Sequence, residues 1–339
     1  MAVEEMTMIA ALNLALDQAL EKDDRVFLLG EDIADPAGGI TGVTSGLSTK
    51  YGEKRVRDTP ISEAAILGVA VGAGLCGFRP VAEIMIMDFI GIAADQLINN
   101  AAKVRFMTSG HTSSPITVRT SVLGGMGTGA THSQSLEAWF MHIPGLKVVV
   151  PSTPADGKGL LTTAIFDDDP VLFVETGTLY GARGPVPLEP FSIPFGEASV
   201  IRAGSDVSII TYGRGVRESM SAADTLENDG ISVEVIDLRT LVPMDVDTML
   251  QSVSKTRRAV VVHGATRFAG PGAEISAIIT ENLFRELASP VGRVGARFLP
   301  IPPVAELQAA VLPGSADIVE SVRNTMAEPA VSRTTDFLA

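Results

Sequence analysis

The chain alternates short β-branched runs with helical patterns from end to end, and this alternation leaves few folds open. Thr7 to Leu20 repeats apolar residues at helical spacing, and Arg25-Val-Phe-Leu-Leu-Gly30 then reads as a buried strand. The helical stretch Ala64 to Gly77 leads to a strand over Pro80 to Met87 and one long helix over Phe89 to Met107. Pro115 to Thr120, Leu146 to Val150 and Val171 to Glu175 are further short strands. Between Leu179 and Pro194 the pattern stops at Pro185, Pro187, Pro190 and Pro194, with Gly181 and Gly184, which predicts an ordered linker. A second series follows: strand Val207 to Thr211, helix Val216 to Leu226, strand Ile231 to Ile236, strand Ala259 to His263, helix Ala273 to Leu287 and a strand near Val291. Strands alternating with helices predict parallel sheets covered on both faces. At 339 residues one core is not enough, so the expectation is α/β with two doubly wound domains. The boundaries fall at 1–178 and 203–326, with a Pro-rich linker over 179–202 and a polar, loose tail over 327–339.

Charge and composition exclude several classes. Forty acidic against twenty-six basic side chains give a net charge of −14, and no Lys/Arg run stands out, so no nucleic-acid partner is expected. The single cysteine, Cys76, excludes an intrachain disulfide and points to a reducing compartment; within an apolar helix it reads as a small core residue. The longest apolar run, Ala64 to Phe78, is too short to span a membrane, and the N-terminus lacks the basic region of a signal peptide. The cytoplasm is therefore the expected compartment. A mean hydropathy of +0.29 with few aromatics suggests a large aliphatic core or subunit faces buried against other chains.

Two segments stand out chemically. In Asp58-Thr-Pro-Ile-Ser-Glu63, Ser62 is placed to cap a helix and Glu63 to lie in its first turn, where the helix dipole favours an anion. The fourteen residues that follow carry no charge and include Gly68, Gly72, Gly74 and Gly77, so the helix can pack closely and draw the carboxylate inside. A carboxylate in a dry place usually needs a partner; the alternative, and the commoner case on residues alone, is an acid that only starts the helix. The second segment is Gly124-Gly-Met-Gly-Thr-Gly-Ala-Thr-His-Ser-Gln-Ser135, a glycine-rich loop that presents His132, a proton carrier near neutral pH or a turn cap. It lacks the endings and spacing of nucleotide-binding loops. The four histidines and one cysteine lack metal-ligand spacing, and no Gly-x-Ser-x-Gly elbow is present. Asp167-Asp-Asp169-Pro170 reads as an oxygen site for a cation or as a solvated turn.

In order along the chain come Asp58-Thr-Pro-Ile-Ser-Glu63, Arg79-Pro-Val-Ala-Glu-Ile-Met85, Asp88-Phe89, His132-Ser-Gln-Ser135, Pro144-Gly-Leu-Lys-Val-Val-Val-Pro-Ser152 and Asp156-Gly-Lys-Gly-Leu160. Asp167-Asp-Asp-Pro170, Ile236-Asp-Leu-Arg-Thr240 and Val260-Val-Val-His263 follow. From about Thr7 to Val322 the chain resembles the beta subunit of the thiamine-diphosphate-dependent component of 2-oxo-acid dehydrogenase complexes, of pyruvate, acetoin or branched-chain type. The resemblance implies a transketolase-like pyrimidine-binding domain, then a transketolase C-terminal domain, in an α2β2 heterotetramer with beta–beta contact. It implies that Glu63 hydrogen-bonds N1′ of the cofactor's aminopyrimidine, that Met85 and Phe89 line the ring's pocket, and that His132 handles protons and assists acyl transfer to a lipoyl group. It also implies a monovalent cation site, usually potassium, at Ile116, Ala164, Asp167 and Asp169, and docking to a lipoyl acyltransferase core.

The Gly-Asp-Gly and downstream Asn that hold Mg²⁺ and the diphosphate are missing at the required spacing; the resemblance puts them on the alpha chain. The chain alone is therefore expected to bind the cofactor poorly. Three positions depart from the family pattern: Phe166 where Arg is frequent, Gly264 where Glu is common after the histidine, and Pro271 where an aromatic is frequent. The segments Glu83 to Phe89 and His132 to Trp139 look closer to acetoin and pyruvate members than to branched-chain ones. Two other readings are half of a split transketolase-like enzyme acting on sugar phosphates, and a non-catalytic assembly subunit. The active-site segments are poor in the basic residues a sugar phosphate needs, and the presence of Glu63 and His132 speaks against the assembly reading.

Overall fold

A computed structural model describes residues 2–327, which form two compact α/β units. The first holds the chain up to Val122 and Trp139–Phe195; the second holds Leu123–Ala138 and the chain from Gly196 onward.

The first unit opens with β1 (Val3–Thr7) and α1 (Met8–Lys22). Thr7 ends the strand and caps the helix, its hydroxyl accepting from the Ala10 amide. Met8, Leu12, Ala15, Leu16 and Ala19 then recur at helical spacing and are buried. Next come β2 (Val26–Gly30), α2 (Leu47–Tyr51), β3 (Val56–Asp58), α3 (Glu63–Leu75) and β4 (Arg79–Glu83). After these follow α4 (Ile90–Asp95), α5 (Val104–Met107), β5 (Thr117–Val122), α6 (Glu137–Met141), β6 (Lys147–Val149), α7 (Pro154–Phe166), β7 (Val171–Thr176) and β8 (Arg183–Pro187). The strands β6-β7-β5-β4-β2-β3 lie side by side in that order, all parallel. Helices α1 and α7 pack together, and Leu16, Leu28, Val81, Leu161 and Phe173 share one core.

Three elements differ from the sequence reading. The strand expected to reach Met87 ends at Glu83, and the chain turns through a single 3₁₀ turn at Met87–Phe89. The long helix expected over Phe89 to Met107 is broken by a π turn at Gln96–Ala101. There Asn99 and Asn100 donate to Asp95, so side chains compete with the regular ladder. The Pro-rich stretch contains β8, paired antiparallel with β1 in a two-stranded ribbon that has room for prolines. The fully buried Lys158 braces it by donating to the carbonyls of Pro187, Leu188 and Glu189 at 2.6, 3.0 and 2.9 Å.

The second unit contains β9 (Ser199–Arg202), β10 (Val207–Thr211), α8 (Arg214–Glu227), β11 (Val233–Asp237), β12 (Thr240–Val242), α9 (Val246–Thr256) and β13 (Ala259–Thr266). It continues with α10 (Pro271–Leu283), β14 (Gly292–Ala296), α11 (Ala305–Val311) and α12 (Ser315–Met326). Its sheet has the order β14-β13-β10-β11-β9, with only β9 antiparallel. Pro271 takes the first position of α10, where its missing N–H is not needed. Beyond Ala327 the expected loose tail lies outside the described residues.

His263 is buried at the end of the β13 apolar run, its Nδ1 3.0 Å from the Ala265 carbonyl. The ring fits because Gly272 has no side chain; a Cβ there would lie 2.6 Å from Nε2. Burial lowers the imidazole from 6.5 to about 4, so the folded state keeps it neutral. This contribution to stability is complete above pH 6.5 and is lost as pH falls toward 4, when the unfolded chain takes up a proton that the folded chain refuses. The shift corresponds to about 3 kcal/mol at most. Denaturant midpoints should therefore fall between pH 7 and 4.5, and fall less in His263→Gln.

Candidate active site

Glu63 is the first residue of α3, with Ser62 at the cap position but without a side-chain capping bond. The helix buries Ile66, Leu67, Ala70, Val71 and Gly74 in its own unit, against β4 and α4. Its other side is open: Ala64, Ala65, Gly72 and Cys76 are exposed, and Val69 is 57% exposed. Two expectations are corrected here. The Glu63 carboxylate is half-buried rather than enclosed, and Cys76 is a surface thiol rather than a core residue. The cause is the same for both, because a helix without charges exposes apolar surface wherever its own unit does not cover it. Among the described residues, no hydrogen-bond donor or cation holds the Glu63 carboxylate. Glu31, just beyond β2, is pushed up by burial and by the charges of Asp32 and Glu63.

Met85 lies two residues beyond β4, half-buried, and its carbonyl accepts from Ser121 Oγ at 2.5 Å. Phe89, also half-buried, closes the turn that starts α4, its amide donating to Ile86 O at 3.0 Å. Glu63, Met85 and Phe89 thus stand on neighbouring elements of one unit, at or beyond the carboxyl ends of parallel strands, where ligands of such sheets bind.

Beneath Met85 lies a buried cluster of charges that the sequence pattern does not reveal. Arg119, in the middle of β5 and 3% exposed, forms a fork with Glu175 at 2.7 and 2.9 Å. Its third nitrogen reaches Glu83 at 2.5 Å, and Tyr180 OH donates to Glu175 at 2.7 Å. Burial and the Glu175 charge raise Glu83 despite the pull of Arg119. The signal available in the sequence was a lone arginine within an otherwise uncharged strand, Thr117–Val122.

His132 sits in the segment Leu123–Ala138, which belongs to the second unit. Gly127 and Gly129 adopt positive φ there and run close to Pro303. Thr128 Oγ1 donates to the His132 carbonyl at 3.1 Å and lies 2.8 Å from Ser133 Oγ. The imidazole Nδ1 is 3.0 Å from Thr131 Oγ1 and the residue is half-buried, so the ring is oriented but accessible. Gly264, where the family commonly has Glu, leaves space beside Ser135 and Arg214 of the same unit.

The four positions of the implied potassium site lie on α7 (Ala164), the turn after it (Asp167 and Asp169) and the residue before β5 (Ile116). Asp167 ends α7, and its amide donates to Ala164 O, while Ile116 O accepts from Val171 N. The turn is already tied by side-chain cations. Arg79 donates to the Asp167 carbonyl at 2.9 Å and to Asp168 at 2.6 Å, Lys147 binds the Asp167 carboxylate at 2.6 Å, and Arg105 pairs with Asp169. Phe166 packs on the core with Lys22 over its ring. Among the described residues no group of His, Cys, Asp and Glu side chains could hold a metal ion, and no helix is long and apolar enough to cross a membrane.

Comparison with known proteins agrees with this architecture. Residues 4–182 match the family model "Transketolase, pyrimidine binding domain", and residues 196–318 match "Transketolase, C-terminal domain". The chain is 46% identical over 325 residues to the beta subunit of acetoin:2,6-dichlorophenolindophenol oxidoreductase from Cupriavidus necator, covering 93% of this chain and 96% of that one. It is 45% identical over 323 residues to the pyruvate dehydrogenase E1 component subunit beta of Bacillus subtilis, covering 95% of this chain and 99% of that one. To the 2-oxoisovalerate dehydrogenase subunit beta of Bacillus subtilis it is 42% identical over 324 residues, with the same coverage, 95% and 99%. A solved structure, "Split gene transketolase, inactive beta4 tetramer", superposes with a TM-score of 0.77, covering 96% of this chain and all of that one; at 22% identity it speaks for the fold alone. Near-full-length identity above 40%, with both domain models in order, establishes that the chain belongs to the family of transketolase-like beta subunits of the 2-oxo-acid and acetoin dehydrogenases.

Proposed function

We propose that this chain is the catalytic beta subunit of a thiamine-diphosphate-dependent 2-oxo-acid or acetoin dehydrogenase and holds the aminopyrimidine half of the cofactor site. The observation that carries the reading is Glu63, a carboxylate without a partner among the described residues, at the head of an apolar helix whose outer face is open. Bound thiamine diphosphate would supply the carbon nucleophile and electron sink for cleavage next to a carbonyl. Glu63 would hold N1′ of the ring and share a proton with it, which a carboxyl does well once water is excluded. The fixed turn of Met85 and Phe89 would bound the ring, and His132 would carry protons and assist acyl transfer to a lipoyl group. The proposed domains run over 1–178 and 203–326, joined by the linker over 179–202.

An alpha chain, in an α2β2 assembly with beta–beta contact, would bring the Mg²⁺ and diphosphate half. This is supported by the exposed apolar side chains of the first unit: Ile61, Val69, Leu75, Phe78, Ile92 and Phe106. A lipoyl acyltransferase core and the cytoplasm complete the setting. The substrate would fall in the range set by the names of the relatives, acetoin, pyruvate and 2-oxoisovalerate, at 46, 45 and 42% identity. Potassium would sit at the carbonyls of Ile116, Ala164, Asp167 and Asp169, where the C-terminal end of α7 attracts positive charge.

Three measurements follow. In the complex reconstituted with its alpha chain, Glu63→Gln should lower turnover by about 100-fold or more while assembly is unchanged; wild-type turnover would favour a purely structural subunit. Cys76 should react with a thiol reagent in the chain alone and be protected once the alpha chain is added; equal reactivity in both states would move the interface away from α3. Replacing potassium chloride by choline chloride should lower the thermal midpoint of the complex, and an unchanged midpoint would remove the cation from the α7 turn.

A further inference from the structure

The carboxylate–guanidinium–carboxylate row of the first unit lies within the sheet, beneath the turn at Met85. Glu83 pairs in register with Arg119, and Ser121 with Glu175, so the row crosses three neighbouring strands, β4, β5 and β7. Two residues after Glu83 the chain reaches Met85, whose carbonyl is tied to Ser121 on the middle strand. The row is asymmetric. Glu175 takes both arms of the fork and the Tyr180 hydroxyl, whereas Glu83 receives one nitrogen of Arg119. Its second oxygen faces the loop at Gly39, where φ is +80° and an added Cβ would lie 3.4 Å from Glu83 Oε1 and 3.4 Å from Thr44 Oγ1. Between that loop and the row lies a cavity of about 10 Å³, bordered by Thr41, Glu83, Met85, Ser121 and Tyr180. That is room for about one water molecule.

Two carboxylates against one guanidinium leave one negative charge in excess when both are ionised. An uncompensated buried charge is costly unless a cation stands nearby. The ring end of the ligand of the proposed function brings such a positive charge, since its thiazolium is permanently positive and its aminopyrimidine takes up a proton, while its anionic diphosphate would lie with Mg²⁺ on the alpha chain. We propose that Glu83, held through Arg119 and Glu175, is a positioning residue that fixes the turn at Met85 and places an excess negative charge beneath the cationic rings of the cofactor. This rests on the reading of the site as a thiamine diphosphate site, and it concerns residues other than Glu63. Glu83 touches neither ring, and it acts through the charge and the shape of the pocket floor.

The test uses the complex reconstituted with its alpha chain. Thiamine diphosphate with Mg²⁺ is titrated by calorimetry, and the pH midpoint for protonation of the bound aminopyrimidine is followed by circular dichroism. Glu83→Gln, which keeps the shape and removes the charge, should weaken binding about tenfold and lower that midpoint by about one pH unit. Glu83→Asp, which keeps the charge on a shorter arm, should return the midpoint toward wild type while binding stays weaker. A lower thermal midpoint with an unmoved pH midpoint in Glu83→Gln would reduce the row to a structural brace and overturn the proposal. If Glu83→Gln does not fold, Glu83→Asp decides alone: wild-type affinity there would count against a positioning role. Failure of the wild-type complex to bind the cofactor would overturn both this proposal and the function it rests on, whereas wild-type binding with unchanged variants overturns this proposal alone.

Discussion

An apolar helix needs covering on every side, and this chain covers only one side of α3, whose head carries a carboxylate. Ile66, Leu67, Ala70 and Val71 find their core between β4 and α4, while Val69, Leu75 and Cys76 face outward. Burial of apolar side chains is the main favourable term in folding and association, so a face of this kind is unfavourable until another surface covers it. The same covering would remove water from Glu63 and change it from an ordinary first-turn acid into a group that holds a proton for a ring nitrogen. On the proposed reading, subunit assembly and activation of the site are one event.

The rest of the first unit prepares that surface. Parallel strands end together at one edge, and the residues just beyond them, Met85 among them, are held by bonds from inside the sheet rather than by loop contacts. The Arg119 row stiffens β4, β5 and β7 from beneath, and Lys158 and the β1–β8 ribbon hold the Pro-rich stretch in place. His132 comes from a segment that groups with the second unit and is oriented by Thr128 and Thr131. The turn at Asp167–Asp169 is tied by Arg79, Lys147 and Arg105, so its order does not depend wholly on a bound ion.

Much of this was legible in the residues. The change from helical to strand periodicity, repeated on both sides of the Pro-rich stretch, indicated two α/β units, and the ordered motifs indicated the family. What stayed hidden depends on contacts distant in sequence. Periodicity cannot distinguish a helix buried in its own domain from one waiting for another chain, which is why Glu63 and Cys76 were expected deeper than they lie. The π turn at Gln96–Ala101 arises from competition by Asp95 and its amide neighbours, which the apolar pattern does not record. The row at Arg119 joins residues 36 and 56 positions apart, so it becomes visible only once strand order and register are known. β8 reads as linker in the sequence because four prolines outweigh a short alternation that pairs only with the distant N-terminal strand.

The central claim is that this chain carries half of a cofactor site. Calorimetric titration of thiamine diphosphate with Mg²⁺ into the chain alone, and into the chain with its alpha partner, tests it most directly. The account expects no saturable micromolar binding by the chain alone and tight, saturable binding once the partner is present. Micromolar binding by the isolated chain would contradict it.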